Sequence, residues 1–434
     1  MRLDVRRIGV VAFAFAAGLV PWLSPPLVAQ TGTFIDRHQS TDLRMMSYNV
    51  LWDTIFPSIS ATQSAKFARV IQALDPDILN LQEIDSPFDL TTTFTAIDVR
   101  NLMNTIQPLE GGASWHAYKG STNVIVSKYP LSMTRSDTSP STLRGMAMAL
   151  VDLPDAVYPA DFYVMNNHFK CCGNPGGPED SQRQRHADAL VGWMHDARNP
   201  GGFINLPANT PMAVVGDLNI VGLLDPLTNL KTGNIVDEGA FGADSPPDWD
   251  GTALADAHPR HNFVGPDYTW REDSSGFAPG RLDYILYTNS VVDIANHSLL
   301  NTVMMSSAEL AATGLQQNDI LKYSSGWYDH LPLVADFRFA VRAPGDFNFD
   351  GTIDESDYDV WKLAYGSTNA AADANGDGVV DAADYTVWRN NVNVEIIGSG
   401  GFAAVPEPAS CMLIIPVCAA LMVLRLFPGA VGRS

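Results

Sequence analysis

Two residues apart, Asp217 and Asn219 close the apolar run Ala213-Val214-Val215-Gly216 and set a carboxylate and a carboxamide just beyond what reads as a buried strand. If the extended state continues, both side chains point to the same side of that strand. Such a pair suits a metal ion and a water molecule held against a phosphate. Other strand-like runs are interrupted near their ends by Asn49, Glu83, His168, Asp283, and Asp329 with His330. Phosphoester cleavage needs a cation to neutralise phosphate oxygens, an activated water in line with the leaving group, and a group that stabilises or protonates the leaving oxygen. Hard oxygen donors suit magnesium, which keeps several waters and takes one or two carboxylates. Singly, each residue has an ordinary explanation: a polar turn at Asp217, a surface histidine at His168, a partner for Arg281 at Asp283. Their shared place at strand ends is what argues for chemistry.

The elements that must position them read as strands over 43–50, 77–84, 123–128, 145–153, 162–169, the run ending at Gly216, 281–288 and 331–340. Phe67, Val70, Ile71 and Leu74 follow helical spacing, with Ser64 as a cap and Asp75-Pro76 as a stop, and further helices are predicted over 97–106 and 179–198. Helices mixed with strands that are often adjacent in sequence predict an α+β layered domain over 42–340.

The blocks Ser47-Tyr48-Asn49-Val50, Leu81-Gln82-Glu83-Ile84, Asn167-His168-Phe169, Gly216-Asp217-Leu218-Asn219, Arg281-Leu282-Asp283-Tyr284 and Tyr328-Asp329-His330-Leu331-Pro332 together resemble the endonuclease/exonuclease/phosphatase family. That family includes deoxyribonuclease I-like nucleases, apurinic endonucleases, inositol polyphosphate phosphatases and bacterial sphingomyelinases. The blocks stand in the family's order and cover nearly all of 42–340. The resemblance implies a four-layer α/β/β/α sandwich with two central mixed sheets and the site at one end. It also implies roles. Glu83 would be the principal ligand of Mg2+ or Mn2+, assisted by Asn49, with Asp329 near the metal. Asp217 and Asn219 would orient the attacking water or the phosphate. His330, oriented by Asp283, would act as base or bind phosphate, and His168 would contact phosphate or protonate the leaving oxygen. The base stays open between Asp217 and His330. Arg144 stands where relatives carry an arginine near phosphate, although a surface arginine explains it equally well.

A second composition begins at Pro344. Asp346, Asn348, Asp350, Asp354 and Asp357, with Gly351, recur 27 residues later as Asp373, Asn375, Asp377, Asp381 and Asp384, with Gly378. Each set places oxygen donors at positions 1, 3, 5, 9 and 12 and glycine at 6 of a Ca2+-binding loop. Tyr358, Val360 and Trp361 repeat as Tyr385, Val387 and Trp388. The duplication over 344–394 resembles the type I dockerin, a small α-helical calcium-binding module. Dockerins often recognise a cohesin through small hydroxyl residues at positions 10 and 11, whereas Glu355-Ser356 and Ala382-Ala383 stand here. That departure argues for a calcium-stabilised spacer over cohesin binding.

The two ends speak to location. Arg2, Arg6 and Arg7, an apolar stretch over 8–20 and Leu27-Val28-Ala29 before Gln30 read as a signal peptide over 1–29. Val405-Pro406-Glu407-Pro408, an apolar run over 409–424 and Arg425 resemble the PEP-CTERM sorting segment, over 405–427, of Gram-negative envelope bacteria. It implies a membrane transpeptidase as partner. Export to the cell envelope or beyond makes disulfides permissible, but four cysteines, two of them the neighbours Cys171 and Cys172, do not build a scaffold. The chain of 434 residues is 46% hydrophobic, enough for one large core, and its net charge is −21. Residues 31–342 hold 35 acids and 20 bases, so charge does not support nucleic acid as the substrate. The expectation is therefore an exported, monomeric phosphodiesterase acting on a phosphate ester. The alternatives are a secreted nuclease, or a calcium-dependent surface interaction protein whose phosphoesterase-like domain only binds.

Overall fold

The computed structural model describes residues 30–85, 93–136, 145–272, 276–320, 329–339, 344–347, 352–367, 372–375 and 379–392. The signal peptide, Arg144, Asn348, Asp350, Asp377 and the sorting segment lie outside the described residues.

The chain up to Val341 forms one unit. Its elements run β1 (Leu43–Asn49), α1 (Ala61–Leu74), β2 (Ile78–Gln82), α2 (Ala96–Ile106), β3 (His116–Gly120), β4 (Asn123–Ser127), β5 (Leu131–Arg135), β6 (Ala147–Val151), β7 (Phe162–His168), α3 (Pro178–Arg198), β8 (Met212–Asp217), α4 (Asp225–Thr232), α5 (Glu238–Phe241), β9 (Ala255–Asp256), β10 (Asp283–Tyr287), β11 (Val292–Leu299), α6 (Ser307–Thr313) and β12 (Leu333–Phe339). One sheet has the order β11-β12-β1-β2-β4-β3 and the other β5-β6-β7-β8-β10-β9. Both are mixed, since β1 runs parallel to β2 and β7 parallel to β8 while the remaining neighbours are antiparallel.

Alternation along the second sheet fixes the layering. Ala147, Ala149, Val151, Phe162, Val164, Ala213, Val215, Ile285 and Tyr287 pack into one core with the first sheet and with Phe67, Val70, Val99 and Met103 of α1 and α2. The residues between them, Met148, Leu150, Tyr163, Met165, Val214 and Leu286, face Ala187, Leu190, Val191 and Met194 of α3. Helices on sheet on sheet on helix buries both faces of these strands. Gly216 serves this closeness: at φ 120, any Cβ there would overlap the carbonyl oxygen of Asn167 on β7.

Helix α1 begins at Ala61 rather than at Ser64. Ser60 is the cap, its hydroxyl accepting Gln63 N–H, and Ser64 is buried within the first turn. Strands β3, β5, β9 and β11 had no clear sequence signal, because partly exposed edge strands mix polar and apolar residues.

α3 also buries a titratable ring. His186 stacks on Phe169 at 4.1 Å, and its Nε2 has no hydrogen-bond partner among the described residues. Burial pushes its pKa down to about 3. Below the ordinary histidine range the unfolded chain takes up a proton that the folded chain refuses. Stability therefore falls with pH from about 6.5 toward 3, by up to ~1.4 kcal/mol per pH unit from this residue. Denaturant unfolding at pH 7, 5.5 and 4.5 should show a shallower loss for His186→Phe than for the wild type. Equal slopes would remove His186 as the cause.

The unit from Arg342 onward contains α7 (Glu355–Ala364) and α8 (Ala382–Asn391). Asp354 and Asp381 cap them, in capping boxes completed by Asp357 and Asp384. Phe347, Ile353, Val380 and Trp388 form a small core. The two repeats exchange indole hydrogen bonds: Trp361 Nε1 donates to the Asp381 carbonyl at 2.9 Å and Trp388 Nε1 to the Asp354 carbonyl at 2.8 Å.

Candidate active site

The inward-facing rows of the second sheet end in polar residues. His168 continues Phe162, Val164 and Asn166; Asp217 continues Ala213 and Val215; Asp283 precedes Ile285 and Tyr287. Sheet register sets these ends side by side, with His168 opposite Asp217 on β7 and β8, and Asp283 opposite Asp217 on β10 and β8. The first sheet supplies the facing groups. Asn49 ends β1 and donates through Nδ2 to Asp217 Oδ2 at 3.1 Å, and Glu83, one residue past β2, has Oε1 3.9 Å from His168 Nε2. The sheets are also tied just beneath, where Gln82 Nε2 donates to Asn166 Oδ1 at 2.7 Å and Asn166 Nδ2 donates to the Leu81 and Val124 carbonyls. Asn49, His168, Asp217, Asn219, Asp283, Asp329 and His330 are all buried.

The extended state does not continue past Asp217. Asn219 sits at φ 47 in the left-handed region, its N–H bonded to Asp217 Oδ1 and its Nδ2 donating to the Phe169 carbonyl at 3.3 Å. An asparagine tolerates that conformation well. Glu83 is left-handed too, at φ 65. The turn that follows it is held by Asp53, whose Oδ1 accepts Asp85 N–H at 2.7 Å.

His330 Nδ1 lies 2.7 Å from Asp283 Oδ2 and its Nε2 lies 3.6 Å from Asp217 Oδ2. Burial opposes a charge on His330, but Asp283, Asp217 and Asp329 outweigh it and raise its pKa well above the usual histidine value. Burial, with Asp283 and Glu83 nearby, pushes the Asp217 carboxyl up to about 8 against the opposing pull of His330. Asp283 is not the partner of Arg281, which pairs with Asp256 instead. Asp217, Asp283 and His330 offer donor atoms within 4.8 Å of one another, and Asp283 Oδ1 is buried with no hydrogen-bond partner among the described residues. Crowded buried carboxylates of this kind fit a bound cation. This cluster differs from the set Asn49, Glu83 and Asp329 that the motifs assign to metal.

Two supporting residues escaped the sequence. Thr269 Oγ1 donates to Asp283 Oδ2 at 2.6 Å and accepts the Leu282 and Asp283 N–H groups, while Trp270 Nε1 donates to Asp329 Oδ1 at 2.7 Å. Both lie in a loop without periodicity, and no local signal marks them.

Residues 46–303 match the model of the Endonuclease/Exonuclease/phosphatase family, more than half of the chain. The chain belongs to this family. Membership makes it a phosphoric-ester hydrolase, of a family that typically uses a divalent metal. Residues 344–393 match the Dockerin type I domain, which binds calcium. No curated protein matches the chain. Among solved structures of similar fold are D. rerio TDP2 complexed with single strand DNA product, 15% identical with TM-score 0.43 over 69% of this chain and 100% of that one. The human Nocturnin catalytic domain with bound sulfate anion is 15% identical with TM-score 0.40 over 70% of this chain and 96% of that one. ANGEL2, described as a 2′,3′-cyclic phosphatase, in complex with adenosine-2′,3′-vanadate, is 16% identical with TM-score 0.46 over 70% and 97%. No helix among the described residues is long and apolar enough to cross a membrane.

Proposed function

We propose that this family member is an exported phosphodiesterase that uses a divalent metal, Mg2+ or Mn2+, to hydrolyse a phosphate diester with water. The observation that carries this reading is the row His168, Asp217, Asp283 across one sheet, set against Asn49 and Glu83 of the other. Glu83 and Asn49 would hold the cation, with Asp329 beside it, and the bound cation supplies positive charge to the phosphate oxygens. Asp217 and Asn219 orient the water. Asp217, held by Asn49 Nδ2 and the Asn219 N–H with its Oδ2 3.6 Å from His330 Nε2, is the base we assign. His330, kept cationic by Asp283, Asp217 and Asp329, then binds phosphate and stabilises charge developing on it. His168, 3.5 Å from Asp217 Oδ2 through its Nε2, serves the leaving oxygen.

The signal peptide, the calcium-stabilised dockerin-like spacer and the sorting segment cut by a membrane transpeptidase would place the enzyme at the cell envelope. The test is a screen of the purified protein against mono- and diesters, including nucleic acid and phospholipid headgroup substrates, with Mg2+, Mn2+, Ca2+ or EDTA. Turnover of a diester with Mg2+ or Mn2+ and none in EDTA is expected. Turnover unaffected by EDTA would refute the metal, and binding without turnover would favour an interaction protein.

A further inference from the structure

Outside the site, the described residues hold one buried polar stripe that touches both of its loops. Asp180, Arg183 and His186, spaced by three along α3, are 5%, 0% and 1% exposed. Arg183 Nε donates to Asp180 Oδ1 at 3.1 Å and Nη2 bonds the same oxygen. Its Nη1 reaches across to the carbonyls of Lys170 at 2.7 Å and Cys172 at 3.1 Å. Asp180 Oδ2 accepts Gly176 N–H at 2.6 Å, and also Leu223 N–H at 3.2 Å from the second loop. That second loop passes so close that any Cβ on Gly222 would run into the Asp180 carboxylate. His186 holds the ring of Phe169 by stacking, and the Phe169 backbone is itself bonded to the Asp217 carbonyl and to Asn219 Nδ2.

Resting on the reading above, we propose that the Asp180–Arg183–His186 stripe is a clamp that positions His168 and Asn219 by fixing the loops that leave β7 and β8. Stability alone gives little reason for it. A buried ion pair contributes about as much as, or less than, well-packed apolar residues of the same volume. What the pair adds is geometry. A guanidinium fork meets one carboxylate and two carbonyls at once, and the carboxylate's second oxygen reaches both loops. Lysine cannot span these partners. An error of about 1 Å in placing a reacting group costs on the order of 100-fold in rate, so loosening either loop should act on turnover more than on substrate affinity.

The experiment compares wild type, Arg183→Lys, and the volume-conserving, uncharged pair Asp180→Asn with Arg183→Met, each checked for a wild-type melting temperature within a few degrees. Two readouts are taken. Hydrolysis of bis(4-nitrophenyl) phosphate with Mn2+ gives kcat and KM, and iodoacetamide labelling of Cys171 and Cys172 under reducing conditions reports how tightly the first loop is held. The expected result in both variants is a kcat lowered by about 10- to 100-fold, KM within about twofold, and labelling at least several-fold faster. A folded variant with wild-type labelling overturns the clamp. Faster labelling with unchanged kcat overturns its positioning role. A wild type that hydrolyses no ester in any metal sinks the hydrolase reading instead, and labelling then decides whether the loops are clamped.

Discussion

Replacing Glu83 or His168 with alanine should lower phosphate-ester turnover at least ~100-fold and leave the melting temperature close to that of the wild type. The two halves of this expectation have separate causes. Glu83 follows β2 outside the apolar clusters; its neighbours hold the backbone, through Ile84 N–H to the Thr122 carbonyl and Asp85 N–H to Asp53. Alanine at φ 65 carries the same left-handed penalty that glutamate already bears. Removing a carboxylate from beside Asp217, whose pKa it helps to raise, relieves repulsion in the metal-free protein, so Glu83→Ala should unfold no more easily than the wild type. Turnover should move the other way, because Glu83 is the residue we propose as principal cation ligand. Glu83→Gln, which keeps volume and loses charge, should lose a comparable amount. His168→Ala removes a ring near Glu83 and Asp217 that belongs to neither apolar cluster. Near-normal turnover in a folded variant of either residue would break the assignment.

Calcium should order residues 344–394, and magnesium should do so far less. Asp357 and Asp384 are fully buried, and each carboxylate closes its loop by accepting backbone N–H groups: those of Phe347 and Asp354 in the first copy, and of Ala374, Asn375 and Asp381 in the second. Asp384 Oδ2, which accepts the Asp381 N–H, keeps a further lone pair for a cation. Aspartate at position 12 is one methylene shorter than the usual glutamate, and these bonds give it a second task as the latch of the loop. About fifty residues with so small a core lie below the size that usually folds without a staple, and without Ca2+ the clustered acids repel one another. An isolated 344–394 fragment should be unfolded in EDTA and become helical on adding calcium. Asp346→Ala with Asp373→Ala should remove that response, and in the full chain should leave hydrolysis unchanged. Circular dichroism that is the same with and without calcium would reduce the repeat to an acidic spacer.

Much of the candidate site is legible because it follows the period of a strand. Asp217 and Asp283 are the polar members of rows whose other members, two residues apart, are apolar, and His168 ends a row that turns polar at Asn166; a sequence shows such rows directly. It cannot show that β7, β8 and β10 lie beside one another in a register that brings those ends level, which is a property of the sheet. Asn219 shows the limit from the other side. The alternation that serves Asp217 stops there, because the chain turns left-handed to reach Phe169. Thr269, Asp53 and Arg183 act through backbone groups distant in the chain, and no short-range pattern encodes such bonds.

The level row across β7, β8 and β10 also constrains how this chain can change over time. A single residue gained or lost within β8 before Asp217 would turn its carboxylate from the inter-sheet side toward α3, and a gain of two would carry it about 6.6 Å past His168 and Asp283. Lengthening the connections does neither. Drift in length is therefore confined to the loops, while β7, β8 and β10 must keep their lengths.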